Sequence, residues 1–226
     1  MQSKIDRLFD KPYRHRHLYL VIKLAVLLYI FMPSKDVQAV LFQLFYVHVS
    51  HKTICEWGKK FIEFASPTKI NYAPNETVIL FADEKYVRVK GVQHYWWSVR
   101  DHKGRLLAKI ITANRDSDSA KLLFRRAKAR IVGKVHAVVR DGLASYDEPI
   151  KKVFGPNCAS FPHGIKGRSE IINDKYFWIS NNMSESLNAQ IDCYLAKHHY
   201  NFNNLESANF HADMFEYRWN LREACS

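Results

Sequence analysis

The spacing of apolar residues changes character along this chain and divides it into two parts. Leu18 to Met32 (LYLVIKLAVLLYIFM) is almost continuously apolar and predicts a helix from about Leu18 to Phe31, stopped at Pro33. A bilayer span needs about 20 such residues. This run is shorter and Lys23 interrupts it, so a buried helix is expected and no membrane partner. Pro33-Ser34-Lys35 is also a poor cleavage site for a secretory leader. Ser34 is placed as the N-cap of a second helix, with Asp36 in its first turn and Val37–Phe45 supplying its apolar positions. Ser50 is placed as the cap of a third, His51–Phe64, in which Ile54, Trp57, Phe61 and Ile62 recur at helical spacing.

Ser66–Glu76 (SPTKINYAPNE) holds two prolines and two asparagines and reads as a linker. Beyond it the period shortens. Thr77–Val89, Tyr95–Arg100 and Leu106–Thr112 are rich in β-branched and aromatic residues, separated by Lys90-Gly91 and His102-Lys103-Gly104. They predict three strands of an antiparallel meander. Asp116–Ile131 then predicts a helix with Ala120, Leu123, Phe124 and Ala127 on one face, and His136–Val139 a short strand ending in Arg140-Asp141-Gly142. A helix from about Tyr146 to Phe154 and an irregular stretch with Gly155-Pro156 and Pro162-His163-Gly164 follow. A long helix is expected from Asn182 to about His198, and a last one around Phe210, Met214, Phe215 and Trp219. The expected organisation is a helical domain over 1–65, a linker over 66–76 and an α/β domain over 77–226.

Charge sharpens this picture. The 226 residues carry a formal net charge of +12, which argues for a polyanionic partner. The excess is local: Lys85 to Lys134 holds 14 Lys and Arg against three acids, and residues 1–70 hold 11 against five. Helix, short turn, helix is the pattern whose second helix can enter a DNA major groove, and Lys52, Lys59 and Lys60 suit phosphate contact there. A plain helical bundle shares that spacing. Lys85, Arg88, Lys90, Arg125, Arg126 and Arg130 are further candidates for phosphate contacts, each with an ordinary exposed charge as the bland alternative. The four cysteines form no C-x-x-C pair, which excludes zinc-ribbon spacing and fits a reducing, intracellular setting. His163, His198 and His199 lack metal-ligand partners at sensible spacing, and Trp96 and Trp97 read as core or interface anchors.

Three strands, a helix, a fourth strand and further helices is the element order of a ribonuclease-H-like mixed sheet flanked by helices. In that fold the first strand lies beside the fourth, so Asp83 can approach Asp141. An unpaired carboxylate in the apolar strand around Asp83 costs several kcal/mol unless it is paired or binds a metal. Glu84 alternates to the other face of the strand and is a weaker candidate for a ligand in the same site. Glu185 stands on the first turn of the late helix, where Asn182-x-x-Glu185 also resembles a capping box. Oxygen ligands alone favour Mg²⁺ or Mn²⁺ over zinc.

Ala82-Asp83-Glu84-x-Tyr86-Val87-x-Val89-Lys90-Gly91 resembles the first catalytic motif of insertion-sequence DDE transposases, specifically the insertion-sequence-six group. Trp97, Arg115-Asp116 with Ala120, Asp141-Gly142 and Asn181-Asn182-x-x-Glu185 extend the resemblance, and Val49-Ser50-x-x-Thr53-Ile54-x-x-Trp57 is similar to that group's helix-turn-helix. It covers about residues 30–220, and the length suits a complete short transposase of the prokaryotic cytoplasm and nucleoid. The resemblance implies a catalytic and metal-binding triad of Asp83, Asp141 and Glu185. It also implies transposon terminal inverted repeats and target DNA as partners, cleavage followed by strand transfer through two metal ions, and a homodimer or larger assembly. The 43 residues between Asp141 and Glu185 exceed the group's usual interval. An insertion around Cys158–Asp174 accounts for this and leaves Glu170 or Asp174 as substitutes for Glu185. A helix-turn-helix regulator, a ribonuclease-H-like nuclease without strand transfer, and a decayed, inert copy of a mobile element remain alternatives.

Overall fold

The computed structural model of the protein describes residues 18–65, 69–162, 167–180, 182–197 and 201–223; His163, His198, His199 and Cys225 lie outside them. Two units are distinguished, one reaching to Pro67 and including Asp213–Arg218, the other comprising the rest.

In the first unit α1 (Tyr19–Phe31), α2 (Ser34–Phe45) and α3 (His51–Phe64) bury Ile22, Val26, Ile30, Val37, Leu41, Ile54 and Phe61. The helix boundaries follow sequence chemistry, with one correction. Pro33, not Ser34, is the N-cap of α2, and no side chain caps that end; the fixed φ of proline starts the helix one residue earlier than expected. Ser50 does cap α3, its Oγ accepting from Thr53 N–H at 3.2 Å. Tyr46 ends α2 in the left-handed region, and its N–H returns to the carbonyls of Leu41 and Phe42. Among the described residues no helix is long and apolar enough to cross a membrane.

The second unit is built on a sheet. Its elements are β1 (Ile70–Asn71), β2 (Val78–Val89), β3 (Val92–Asp101), β4 (Leu106–Thr112), α4 (Ser117–Arg130), β5 (Ile131–Val132), β6 (Val135–Arg140), a 3₁₀ turn (Ala144–Tyr146), α5 (Asp147–Phe154), β7 (Ala159–Pro162), β8 (Arg168–Ile172), β9 (Lys175–Ile179), α6 (Asn182–Ala196), β10 (Asn201–Phe202) and, apart from Asp213–Arg218, α7 (Leu205–Glu223). The main sheet runs β4-β3-β2-β6-β7, antiparallel across β4, β3 and β2 and parallel across β2, β6 and β7. This is a ribonuclease-H-like mixed sheet. Lys90 and Gly91 both take positive φ, which lets β2 fold straight back into β3.

β2 is buried on both faces, and so reads as a continuous apolar run instead of an alternating one. Val78, Leu80 and Ala82 pack with Trp97, Leu123, Phe124, Tyr146 and Ile150 under α4 and α5. Ile79 and Phe81 pack on the opposite side with Ala137, Val139, Ile172 and Ile179. Asp116 caps α4, accepting from Ser119 N–H at 2.9 Å.

Two stretches differ from expectation. Residues 70–76, read as linker, form β1 beside β5 and bury Tyr72, whose hydroxyl donates to Asp101 at 2.7 Å. The stretch after α5, read as irregular, contains β7 and the β8–β9 hairpin, turned by Asn173 and Asp174 with φ of 51° and 59°. Its signal was present: Asn-Asp between two β-rich runs is a hairpin pattern.

Asp101 is fully buried and accepts from Tyr72, from the backbone N–H groups of Lys103 and Arg105, and from the Arg105 guanidinium at 2.7 Å. Removing the carboxylate strands the buried Tyr72 hydroxyl and leaves the half-buried Arg105 guanidinium without its anion. We expect Asp101→Ala to lose about 3–5 kcal/mol in urea denaturation, with no change in the acidic site described next.

Candidate functional site

β6 pairs with β2 only as far as Arg140 opposite Ala82, while β2 continues. Residues 83–87 of β2 thus lie on a stretch of strand edge between the end of β6 and β10, which pairs from Arg88 onward. At this gap Asp83 and Asp141 meet. Each of Asp83, Glu84 and Asp141 offers a carboxylate oxygen, and the three lie within 4.8 Å of one another. Glu84, the weaker candidate on strand alternation, nonetheless lies beside the two aspartates. Alternation does send Glu84 to the α4 side and Asp83 to the other, but on the side where β6 has ended no strand separates the two faces, and Asp141, just past that strand, reaches both.

Each carboxylate has a distinct setting. Asp83 accepts from Glu84 N–H at 2.9 Å and from Asn188 Nδ2 at 2.8 Å. Burial pushes its carboxyl up to about 6, and the Asp141 charge adds to this against the two hydrogen bonds. Glu84 accepts from the Tyr146 hydroxyl at 2.6 Å and from Arg115 Nε at 2.7 Å. Burial raises its carboxyl too, with the Asp141 charge acting in the same direction and Tyr146 and Arg115 opposing. Burial, and then the Glu84 charge, pushes the Tyr146 hydroxyl well above its ordinary value, so it remains a donor. Asp141 accepts from Leu143 N–H at 2.9 Å through one oxygen and from Arg115 Nη2 at 3.0 Å through the other.

The loop that carries Asp141 is clamped from below. Arg140 is buried, donates to the carbonyls of Asp141 at 2.7 Å and Leu143 at 3.3 Å, and reaches Ser160 and Asp147 on the next elements. Sequence reasoning missed Arg140, and it missed Arg115 and Tyr146 as contacts of the acids. A buried arginine directly before a site acid was a usable signal; the reach of Tyr146 was not visible without the fold.

The third expected acid stands apart from this cluster. Glu185 is exposed on the first turn of α6. Asn188 and Asp192 of the same helix hold Asp83 and Lys85, the latter pair at 2.7 Å. Asn182 opens α6, and Glu185 stands three residues on, within its first turn. Of the substitutes, Glu170 is in the middle of β8, opposite Phe177. Asp174 occupies the hairpin turn beside Asn173, which bonds Thr77 at 3.2 Å. Six residues of strand, about 20 Å, separate Thr77 from Asp83.

The expected phosphate contacts divide. Lys52, Lys59, Lys60, Arg88, Lys90, Arg125 and Arg126 are exposed. Lys85 is instead paired with Asp192, and Arg130 donates to the Leu106 and Leu107 carbonyls, tying α4 to β4. Trp96 and Trp97 are fully buried, Trp97 donating to Thr112 at 2.8 Å.

The donor set fits a divalent metal. Three carboxylates converge, and burial raises the carboxyls of two of them, so a cation is electrostatically wanted. The Oδ1 of Asn188, beside Asp83, is buried without a hydrogen-bond partner among the described residues. Asp83, Asp141 and Asn188 offer hard oxygens, while both Glu84 oxygens already accept from Tyr146 and Arg115.

Comparison with known proteins agrees in kind. Residues 78–209 match the family model DDE_Tnp_IS240, a DDE domain. No curated protein sequence matches the chain. Among solved structures, the HTLV-2 integrase catalytic core domain in complex with magnesium is similar at 16% identity and a TM-score of 0.41, over 67% of this chain and 88% of that one. The simian T-cell lymphotropic virus intasome in complex with PP2A regulatory subunit B56 gamma is similar at 13% identity and a TM-score of 0.40, over 81% of this chain. This chain spans 64% of the length of that intasome chain. On the family match, which covers more than half of its residues and includes all three clustered acids, the chain belongs to the DDE transposase–integrase family.

Proposed function

We propose that this protein is a DNA transposase of the insertion-sequence-six group that cleaves transposon ends and joins the freed 3′-hydroxyl to target DNA. The observation that carries this reading is the convergence of Asp83 and Asp141 at the gap where β6 ends beside β2. Asp83, Asp141 and Glu185 would hold Mg²⁺ or Mn²⁺. Such ions, when bound, supply Lewis-acid stabilisation of the phosphodiester and of the leaving oxygen.

Glu185 earns its place from helix geometry. Asn188 meets Asp83 and Asp192 meets Lys85, so four residues of α6 (about 6 Å) track two residues of β2 (about 7 Å) in the same direction. One turn back, Glu185 falls at the level of Phe81 and Ala82, beside the end of β6 that Asp141 follows. It shares the helix face of Asn188. A change of side-chain rotamer would then bring it towards the site.

The chain's own residues do the positioning. Arg140 fixes the Asp141 loop, Asn188 and Glu84 N–H orient the two oxygens of Asp83, and the Lys85–Asp192 pair holds α6 against β2. In the helical unit, α3 would serve as the recognition helix of a helix-turn-helix, with Lys52, Lys59 and Lys60 on phosphates. A homodimer or larger assembly that pairs two terminal repeats, acting on the nucleoid in a prokaryotic cytoplasm, completes the reading.

The test is a strand-transfer assay with labelled terminal repeats. Cut ends together with joined products are expected; cut ends alone would leave a nuclease, and binding without nicking a regulator. In the same assay Glu185→Gln should lose at least about a hundredfold in cleavage, several times more than Glu170→Gln. The reverse order would move the third ligand to the hairpin.

A further inference from the structure

We propose, resting on the metal-centre reading above, that Arg115 is a tethered counter-cation: it neutralises Asp141 before a divalent ion loads, gives up Asp141 when one does, and then binds the phosphodiester of the substrate. Arg115 lies in the connection between β4 and α4, next to the helix cap Asp116. Its Nε donates to Glu84 Oε1 at 2.7 Å, and its Nη2 contacts that same oxygen and Asp141 Oδ2, the latter at 3.0 Å. The other Glu84 oxygen is taken by the fully buried Tyr146.

The two ends of this bridge are unequal. The Glu84 side chain is 4% exposed and binds Arg115 through two nitrogens, whereas Asp141 is 25% exposed and meets one. Ion pairs are held more firmly where solvent screens them less. Competition for Asp141 therefore breaks the outer contact first and leaves the inner one. A doubly charged ion approaches carboxylate oxygen to about 2.1 Å, well inside the reach of a guanidinium N–H. It wins that competition for Asp141.

Glu84 thereby has a role other than ligand. Both of its oxygens are committed, one to tyrosine and one to arginine, so it anchors Arg115 at the mouth of the site. Arginine keeps its charge throughout, and its planar fork matches phosphate geometry. Once released from Asp141, the guanidinium stands beside the carboxylates with nitrogens directed where a phosphodiester must lie to reach them.

The experiment begins without DNA. Mn²⁺ is titrated into the full chain and free ion is read by electron paramagnetic resonance, for wild type, Arg115→Gln, Arg115→Lys and Asp141→Asn. Arg115→Gln should bind Mn²⁺ about tenfold more tightly than wild type, because a competing charge is gone. Damage to the site would weaken binding instead, so the sign separates the two explanations. Arg115→Lys keeps a charge without the fork and should bind about threefold more tightly, which keeps the proposal testable if the glutamine variant does not fold. At saturating Mn²⁺, cleavage of a labelled terminal repeat by Arg115→Gln should fall about a hundredfold in kcat despite the tighter metal. Unchanged or weaker Mn²⁺ binding by a folded Arg115 variant, or wild-type cleavage by it, overturns this proposal alone. Wild-type Mn²⁺ binding by Asp141→Asn overturns the metal-centre reading and this proposal with it.

Discussion

Asp83→Asn and Asp141→Asn are each expected to reduce strand cleavage by at least about a thousandfold while terminal-repeat affinity stays within about twofold. Both substitutions preserve shape and a hydrogen-bonding oxygen, and both remove one negative charge from a site whose purpose, in our reading, is to hold divalent cations. Loss of a charged ligand from such a site weakens the field on the reacting phosphodiester by about 4 kcal/mol, which is the stated factor. In the same reading DNA affinity would rest on other residues, the exposed Lys52, Lys59, Lys60, Arg125 and Arg126. Cleavage would be followed on labelled ends, and affinity by a mobility shift in chelator. Residual cleavage within tenfold of wild type in both variants would contradict the assignment.

The second large effect concerns stability and has an unusual sign. The Asp83 carboxyl is raised from 3.8 to about 6 by burial first and by Asp141 second. Between those values the folded chain holds more protons at this position than the unfolded chain. Stability therefore falls as pH rises, the opposite of a salt-bridged carboxylate. The penalty is absent below about pH 4 and complete above about pH 6, and about two units correspond to about 3 kcal/mol at most. In chelator at pH 7.5, Asp83→Asn is thus expected to be more stable than wild type by about 1–3 kcal/mol, with a flatter dependence on pH between 4 and 6. Adding Mg²⁺ should stabilise wild type and leave the variant nearly unmoved. Thermal denaturation across pH, with and without Mg²⁺, checks all three statements. An acid-range slope identical in the two proteins would remove burial of Asp83 as its cause.

Much of the site was readable because its chemistry is local to short segments. Asp83 stands in an apolar strand where a carboxylate is anomalous, and Asp141 directly follows another such strand; the strand order then brings them together. The nearness of Glu84 to the two aspartates was not legible, for an instructive reason. Strand alternation separates neighbours only where the sheet is continuous, and nothing in the sequence says that β6 stops at Arg140 while β2 runs on. Glu185 was expected on the first turn of a late helix, and it stands on the first turn of α6. The contact of Asn188 with Asp83 then gave that helix its direction and register along β2.

The sequence by itself determined the helices and strands whose pattern is written in contiguous residues. These include the Ser50 cap, the glycine turn at Gly91 and the apolar first half of β2. Such features depend on hydrogen bonds and side-chain burial within a few residues, so composition and spacing suffice to fix them. Only the tertiary structure decided which charges find each other: Arg115 with Glu84 and Asp141, Lys85 with Asp192, Arg130 with the carbonyls of β4. A charge interacts with whatever the fold brings within a few ångströms, and that distance is set by strand register and helix packing over tens to more than a hundred residues of separation.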